Sequence, residues 1–170
     1  MSCPKNLKRS RSFLGWLVNA CARFRQSAVY ASLLHSLNWK IAIPEEWSDY
    51  FEVTGRPAVF ADDQRLNQRL GIRICRVMWF EKSIPIRPRT NEPVGIYTRD
   101  FSRQGTGFLS PCEIYPEEQV RIVLPTFWVQ VRVARTRRIN SRCYEVGAIL
   151  LLQHDPDEKA FLSNPPPVPV

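Results

Sequence analysis

The chain has 170 residues, of which 44% are hydrophobic and 24% are charged. This length suits one domain with extensions, and a domain of this size can bury a sufficient core without disulfide or metal staples. Lys and Arg number 24 against 16 Asp and Glu, so the net charge is +8. Such a charge favours an anionic partner: a nucleotide, a nucleic acid or an acidic membrane surface.

The cysteines and histidines argue against a metal site and against catalysis. The five cysteines stand far apart with no C-x-x-C pair: Cys3, Cys21, Cys75, Cys112 and Cys143. This pattern indicates neither a disulfide framework nor zinc, and it favours a reducing compartment. His35 and His154 are the only histidines. Because no nucleophile and base can be assembled, we expect a protein that is not an enzyme and has no cofactor.

The first 40 residues form a basic extension with seven Lys or Arg and no acidic residue. Residues 12–37 contain no Pro, and their periodicity predicts a helix. Five residues share one side of its wheel: Leu14, Leu17, Cys21, Phe24 and Ala28. We favour a helix docked on the folded domain or on a partner subunit. A basic amphipathic helix in peripheral contact with an anionic membrane is the alternative.

The stretch "KNLKRSRSFLGWLVNACARFR" also resembles a weak signal peptide. Asn19 breaks its apolar run, and Arg23 and Arg25 close it. The run is far shorter than the roughly 20 apolar residues that cross a bilayer. We therefore expect a cytoplasmic protein.

Two other segments have a composition distinct from the rest of the chain. Residues 41–63 hold six acids and one Arg, with Pro, Gly and aromatic residues between them, and indicate an irregular connector. Residues 153–170 form a Pro-rich tail ending in "SNPPPVPV". Its prolines favour an extended, solvated chain, which is also the form of ligand that proline-binding modules take.

Between these segments, 64–152 is predicted to form one β domain. Six segments alternate apolar and polar residues: 70–80, 93–101, 105–110, 118–124, 127–139 and 143–152. Their spacing predicts an antiparallel meander. Six short strands with one apolar face each close most economically into a small barrel, although a sandwich is the alternative. We therefore expect a mainly β protein with a six-stranded antiparallel barrel and an N-terminal helical extension.

One predicted turn carries residues suited to binding: "RDFSRQGTGF", residues 99–108. Asp100 accepts two donors, Ser102 both donates and accepts, and Gly105 can take φ > 0 and present backbone N–H groups to a ligand. Asp, Ser and Gly also build tight turns without any ligand. The turn alone leaves both interpretations open.

A second stretch, "DQRLNQRLGIRI", places Arg65 and Arg69 four residues apart just before the first strand. Together the two stretches resemble the signature motifs of PilZ domains, R-x-x-x-R and D/N-x-S-x-x-G, in the right order. "YEVGAIL" (144–150) is similar to that family's closing strand. The resemblance covers roughly 64–152 and leaves the first 60 residues unexplained. It implies a six-stranded barrel that binds the bacterial second messenger cyclic di-GMP and responds by changing shape or partners.

The chemistry of this ligand suits the five motif residues. The ligand's two guanines and two phosphates accept hydrogen bonds from guanidinium groups, which Arg65 and Arg69 supply. Guanine N1–H and N2–H₂ need a carboxylate acceptor, which Asp100 supplies. Ser102 and the Gly105 backbone supply further polar contacts. We expect the lead-in around the two arginines to wrap on binding and so act as a switch beside the N-terminal region.

Other residues modify this expectation. Gln64 stands where many PilZ proteins have another basic residue, which predicts an altered ligand stoichiometry. Gln104 stands where they have a second glycine, which predicts some backbone strain. Four more arginines add positive potential, mostly as solvated charge: Arg103, Arg135, Arg137 and Arg138.

Two other functions compete with the nucleotide receptor. One is a PilZ-like module that binds a protein partner through its N-terminal helix without nucleotide. The other is a basic barrel that stacks single-stranded nucleic acid on Trp79, Phe108 and Trp128, which we do not favour because these rings are better explained as core. The downstream output, whether motility, polysaccharide synthesis, transcription or secretion, does not follow from the sequence.

Overall fold

The computed structural model describes residues 28–37, 39–52, 69–124, 127–154 and 168–169. Most of the predicted N-terminal helix lies outside these residues, and so does Arg65. The helix α1 (Ala28–Ser36) is its described end. No helix in this part of the chain is long and apolar enough to span a membrane.

Strands make up most of the described structure, which confirms a mainly β protein. A short 3-10 helix (Glu45–Trp47) follows α1. The strands are β1 (Leu70–Gly71), β2 (Cys75–Ser83), β3 (Val94–Phe101), β4 (Gly105–Ser110), β5 (Gln119–Val123), β6 (Trp128–Asn140), β7 (Cys143–His154) and β8 (Val168–Pro169). Strands β2 to β7 correspond to the six predicted segments.

These six strands close into an antiparallel barrel in the order β2-β3-β4-β7-β6-β5, with β5 pairing back to β2. The predicted closed barrel is thus confirmed, but the predicted meander is wrong because β4 pairs with β7 and not with β5. The connector 111–118 crosses between β4 and β5 and carries Ile114 into the core, where it is fully buried. A tight return to a neighbouring strand would leave this side chain in water.

The barrel encloses one apolar core, and a second apolar cluster lies on its outer face. On β2, Met78 and Phe80 point into the core, while Val77 and Trp79 point outward. The outward pair is covered by three residues from the N-terminal extension: Leu33, Leu34 and Leu37. The described end of the extension is therefore docked on the barrel. Trp79 and Phe108 are buried, so neither offers an exposed ring to a base.

The predicted strand 70–80 is interrupted between β1 and β2 by the side chain of Thr98 on β3. The Thr98 hydroxyl donates to the Ile72 carbonyl at 2.7 Å and accepts from the Ile74 N–H at 3.2 Å. Backbone bonds continue on both sides of it, from the Ile72 N–H to the Arg99 carbonyl at 3.1 Å and from the Thr98 N–H to the Ile74 carbonyl at 3.0 Å. Alternation of apolar residues continues through the break, which is why the sequence predicts one strand.

Residues 39–52 pack against the outside of β3 and β4. Trp39 stacks on Tyr97 with 5.7 Å between ring centroids, and an added Cβ at Gly95 would lie 2.7 Å from the Trp39 ring. Ile41 and Tyr50 are buried against this face. The acidic and aromatic connector is therefore attached to the barrel in its described part.

Of the C-terminal tail after β7 the structure describes only residues 168–169, and these differ from the prediction of a solvated chain. Val168 and Pro169 form β8, which pairs in parallel with Lys82 and Ser83 at the end of β2. Extended backbone of this kind can add to a strand that has free hydrogen-bonding groups, and Pro is tolerated at such an edge.

Candidate functional site

The two sequence motifs meet through the short strand β1. Leu70 and Gly71 pair with Phe101 and Asp100, which places Arg69 beside the Asp100 side chain. Arg69 Nη1 donates to Asp100 Oδ1 at 2.5 Å. Residues 31 positions apart in the chain are thus in direct contact. The resemblance assigns Asp100 to guanine and does not predict this ion pair. Arg65 lies outside the described residues, so its predicted role stays a prediction.

Asp100 binds two arginines and is almost inaccessible to solvent. Its side chain is 6% exposed, and its second oxygen, Oδ2, accepts from Arg99 Nε at 2.8 Å. Gly107 on β4 makes room for it, since an added Cβ there would lie 2.8 Å from Oδ2. The carboxylate therefore fixes two guanidinium groups at the surface while remaining buried itself.

The turn between β3 and β4 is closed by its own polar groups. The Ser102 N–H donates to the Gly105 carbonyl at 2.8 Å, and the Ser102 hydroxyl donates to the same oxygen at 3.2 Å. This hydroxyl also accepts from the Gln104 N–H at 3.4 Å. Thr106 then donates to the Asp100 carbonyl at 2.8 Å, which ties the turn to the arginine site. Ser102 and Gly105 therefore belong to the same local structure as Asp100.

Gly105 is required for close packing between strands. An added Cβ would lie 2.2 Å from the Ala148 carbonyl oxygen of β7, and the residue is an ordinary member of the β4 ladder. The expected strain at Gln104 is absent, because Glu117 is the only non-glycine residue with positive φ (73°) in the part of the chain that the structure describes. The Gln104 carbonyl instead accepts from the Leu150 N–H at 2.8 Å.

A charged pocket of about 420 Å³ lies beside Asp100 on the outer face of the barrel. Its lining residues come from β3, β6 and β7: Arg99, Arg135, Thr136, Arg137, Glu145, Val146 and Gly147. Glu145 contacts both Arg99 and Arg137, and its Oε2 lies 2.5 Å from Arg137 Nη2. Arg99 therefore connects the Asp100 site to the pocket.

The sequence prediction missed the parts played by Arg99 and Glu145. Arg99 stands next to Asp100 in the chain, but neighbours in a regular strand point to opposite faces. The β3–β4 register shifts between Thr98 and Asp100, and this irregularity lets Arg99 reach the Asp100 carboxylate. Gly107 is the sequence signal, because a glycine inside a strand often marks a point where another group approaches closely.

Tyr50 from the N-terminal segment is attached close to the same site. Its hydroxyl donates to the Thr98 carbonyl at 3.0 Å, two residues before Asp100. Burial raises the pKa of the Tyr50 phenol, and the charges of Arg73 and Arg99 oppose only part of that rise. The phenol is therefore neutral near pH 7 and keeps its proton for this hydrogen bond.

No protein-family model, curated protein sequence or solved structure matches the chain. Within the described ranges, no group of three or more His, Cys, Asp or Glu side chains is arranged to hold a metal ion. The candidate site consists of arginines held by two carboxylates next to a pocket. Such an arrangement suits a planar, anionic ligand that accepts several hydrogen bonds.

Proposed function

We propose that this protein is a PilZ-like receptor for cyclic di-GMP that passes the nucleotide signal to a protein partner without catalysing a reaction. The observation that carries the proposal is the contact between Arg69 and Asp100. Each residue belongs to one of the two sequence motifs, and the barrel brings the motifs together at one surface point. The structural pair of this barrel, Arg89 with Glu118, has an arginine that is only 8% exposed. Asp100 instead holds two arginines that are 21% and 24% exposed and can meet a ligand.

The arginines supply the binding chemistry in this proposal, and Asp100 positions them. Arg69 is 21% exposed and gives one of its donor groups to Asp100, which leaves its other N–H groups to meet phosphate or a guanine edge. Arg99 is held in the same way. Arg65, four residues before Arg69, is proposed as a further arm. Fixing the forks before the ligand arrives reduces the side-chain entropy lost on binding.

The proposed output passes through the N-terminal segment. Tyr50 is hydrogen-bonded to β3 just before Asp100, and residues 39–52 lie on the same strand. A ligand that shifts Asp100 would therefore shift the attachment of this segment, which is where we place the partner contact. The cytoplasm is the proposed compartment, because Cys75, Cys112 and Cys143 are free thiols that suit reducing conditions.

Isothermal titration calorimetry with cyclic di-GMP tests the proposal. Arg69→Ala and Arg65→Ala should each weaken binding by at least tenfold, since a bidentate arginine contact to guanine contributes about 1–3 kcal/mol. Arg142→Ala is the charge-matched control, because Arg142 is exposed in the turn between β6 and β7 and should leave affinity within about twofold. Wild-type protein that gives no heat with tens of micromolar ligand would refute the receptor function.

A further inference from the structure

The pocket extends the Asp100 site along one row of residues across four strands. Asp100 on β3 faces Gly107 on β4, Gly107 faces Gly147 on β7, and Gly147 faces Arg135 on β6. Directly opposed residues in antiparallel strands point to the same side of a sheet. Asp100 and Arg135 therefore stand at the two ends of one row, and the two glycines lie between them.

The pocket is a groove at the Arg135 end of this row, and it has the dimensions of a ligand site. Its volume of about 420 Å³ falls in the range of roughly 300–1,000 Å³ that small-molecule sites occupy. The Asp100 and Arg135 backbones are three strand spacings apart, or about 14 Å at about 4.8 Å per spacing. The two glycines between them leave room for side chains, because the Asp100 carboxylate lies over Gly107 and the Arg135 side chain lies over Gly147.

Arg135 differs from the other arginines of this pocket. Arg99 and Arg137 are both bound to Glu145, whereas Arg135 has no hydrogen-bond or ion-pair partner anywhere in the described part of the chain. Its side chain lies over Gly147, where an added Cβ would be 3.1 Å from Arg135 Nε. The Arg135 guanidinium is exposed beside the pocket, so all of its N–H donors can bind a ligand.

We propose that this groove holds the second guanine of cyclic di-GMP and that Arg135 donates to the O6 and N7 atoms of that base. The inference rests on the proposed receptor function and assigns a residue outside both sequence motifs. Arg69 serves the end of the ligand next to Asp100, and Arg135 serves the far end. Guanine presents two acceptors on this edge, whereas adenine presents one acceptor and an N6 donor, so an arginine fork prefers guanine.

Calorimetry on two exposed arginines of β6 tests this assignment. Arg135→Ala should weaken cyclic di-GMP binding by about 5- to 150-fold, the range equivalent to one bidentate contact. Arg138→Ala removes the same charge from an exposed residue of the same strand that does not line the pocket, and it should change affinity by less than about twofold. Gly147→Ala keeps the arginine but displaces it, and should also weaken binding while the protein still melts cooperatively.

A mixed ligand, cyclic GMP–AMP, tests which atoms Arg135 contacts. Wild-type protein should bind it more weakly than cyclic di-GMP, and Arg135→Ala should abolish most of that difference. If wild-type protein binds cyclic di-GMP and Arg69→Ala abolishes binding, but Arg135→Ala behaves like Arg138→Ala, the groove assignment is overturned and the receptor function stands. If wild-type protein binds no cyclic di-GMP, the receptor function and this assignment fail together.

Discussion

Glu118 shows how a single buried carboxylate holds the barrel end together. It is fully buried and accepts from Arg89 Nε at 2.8 Å and from Arg89 Nη2 at 2.5 Å. It also accepts from the Tyr115 N–H at 2.7 Å. The Arg89 guanidinium lies over the Phe80 ring, 4.5 Å from its centroid. The pair therefore ties the loop before β3 to the connector that crosses from β4 to β5.

Arg89→Ala should lower the free energy of unfolding by about 3–5 kcal/mol, because it leaves the Glu118 charge buried without a partner. Urea denaturation provides the measurement. Arg132→Ala is the control, since the Arg132–Glu117 pair is 37% and 60% exposed and should cost less than about 1 kcal/mol. Equal losses in the two variants would show that the buried pair has no special role.

At the same scale, the sequence predicts residue identities better than residue roles. Arg69 and Asp100 are identified by motif, but their contact with each other is not predicted by it. Gly105 is also identified, but for conformational freedom, whereas the structure requires it for the approach of β4 to β7. Arg135 is predicted as solvated charge and is exposed, but nothing in its own segment shows that Gly147 lies opposite it. A role that depends on neighbours in adjacent strands can be predicted only when the register of those strands is known.

Two glycines of the β4–β7 pair should respond differently to the same substitution. Gly105→Ala places a Cβ 2.2 Å from a backbone oxygen that cannot move without separating the strands. We expect a loss of about 1–3 kcal/mol in unfolding free energy. At Gly147 the nearest atom is in the flexible Arg135 side chain, so Gly147→Ala should cost less than about 1 kcal/mol. Thermal melts of both variants check this, and a Gly147→Ala loss as large as that of Gly105→Ala would contradict it.

For whole elements, periodicity predicts the faces of strands but not their partners. Alternation identifies all six barrel strands and correctly sorts Met78 and Phe80 from Val77 and Trp79. The pairing of β4 with β7 is missed because the connector 111–118 looks like an ordinary polar turn. Only the burial of Ile114 shows that this connector crosses the barrel end.

Across the whole molecule, the N-terminal segment and the arginine site share strand β3. Trp39 stacks on Tyr97, and Tyr50 donates to the Thr98 carbonyl. The Arg73 guanidinium lies over the Tyr50 ring, 4.8 Å from its centroid. Arg73 Nη1 also donates to the Tyr50 carbonyl at 3.2 Å. The segment is thus held by Tyr97 and Thr98, which stand three and two positions before Asp100, and by Arg73, two residues after the Gly71 that pairs with Asp100. This proximity provides a physical route by which ligand binding can alter the surface presented to a partner.

This attachment makes stability depend on pH through Tyr50. Burial raises the pKa of the phenol above its ordinary value of 10.0 in the folded state. Below that value both states are protonated and the stabilisation is fully present. Above it the unfolded chain ionises first, so the free energy of unfolding should fall by about 1.4 kcal/mol per pH unit.

Tyr50→Phe removes this contribution. Urea denaturation from pH 9 to 11 should therefore show a smaller fall in the free energy of unfolding for the variant than for wild-type protein. Burial also raises the pKa of Tyr97, so the Tyr50 contribution is the difference between wild type and variant, and identical slopes would contradict it.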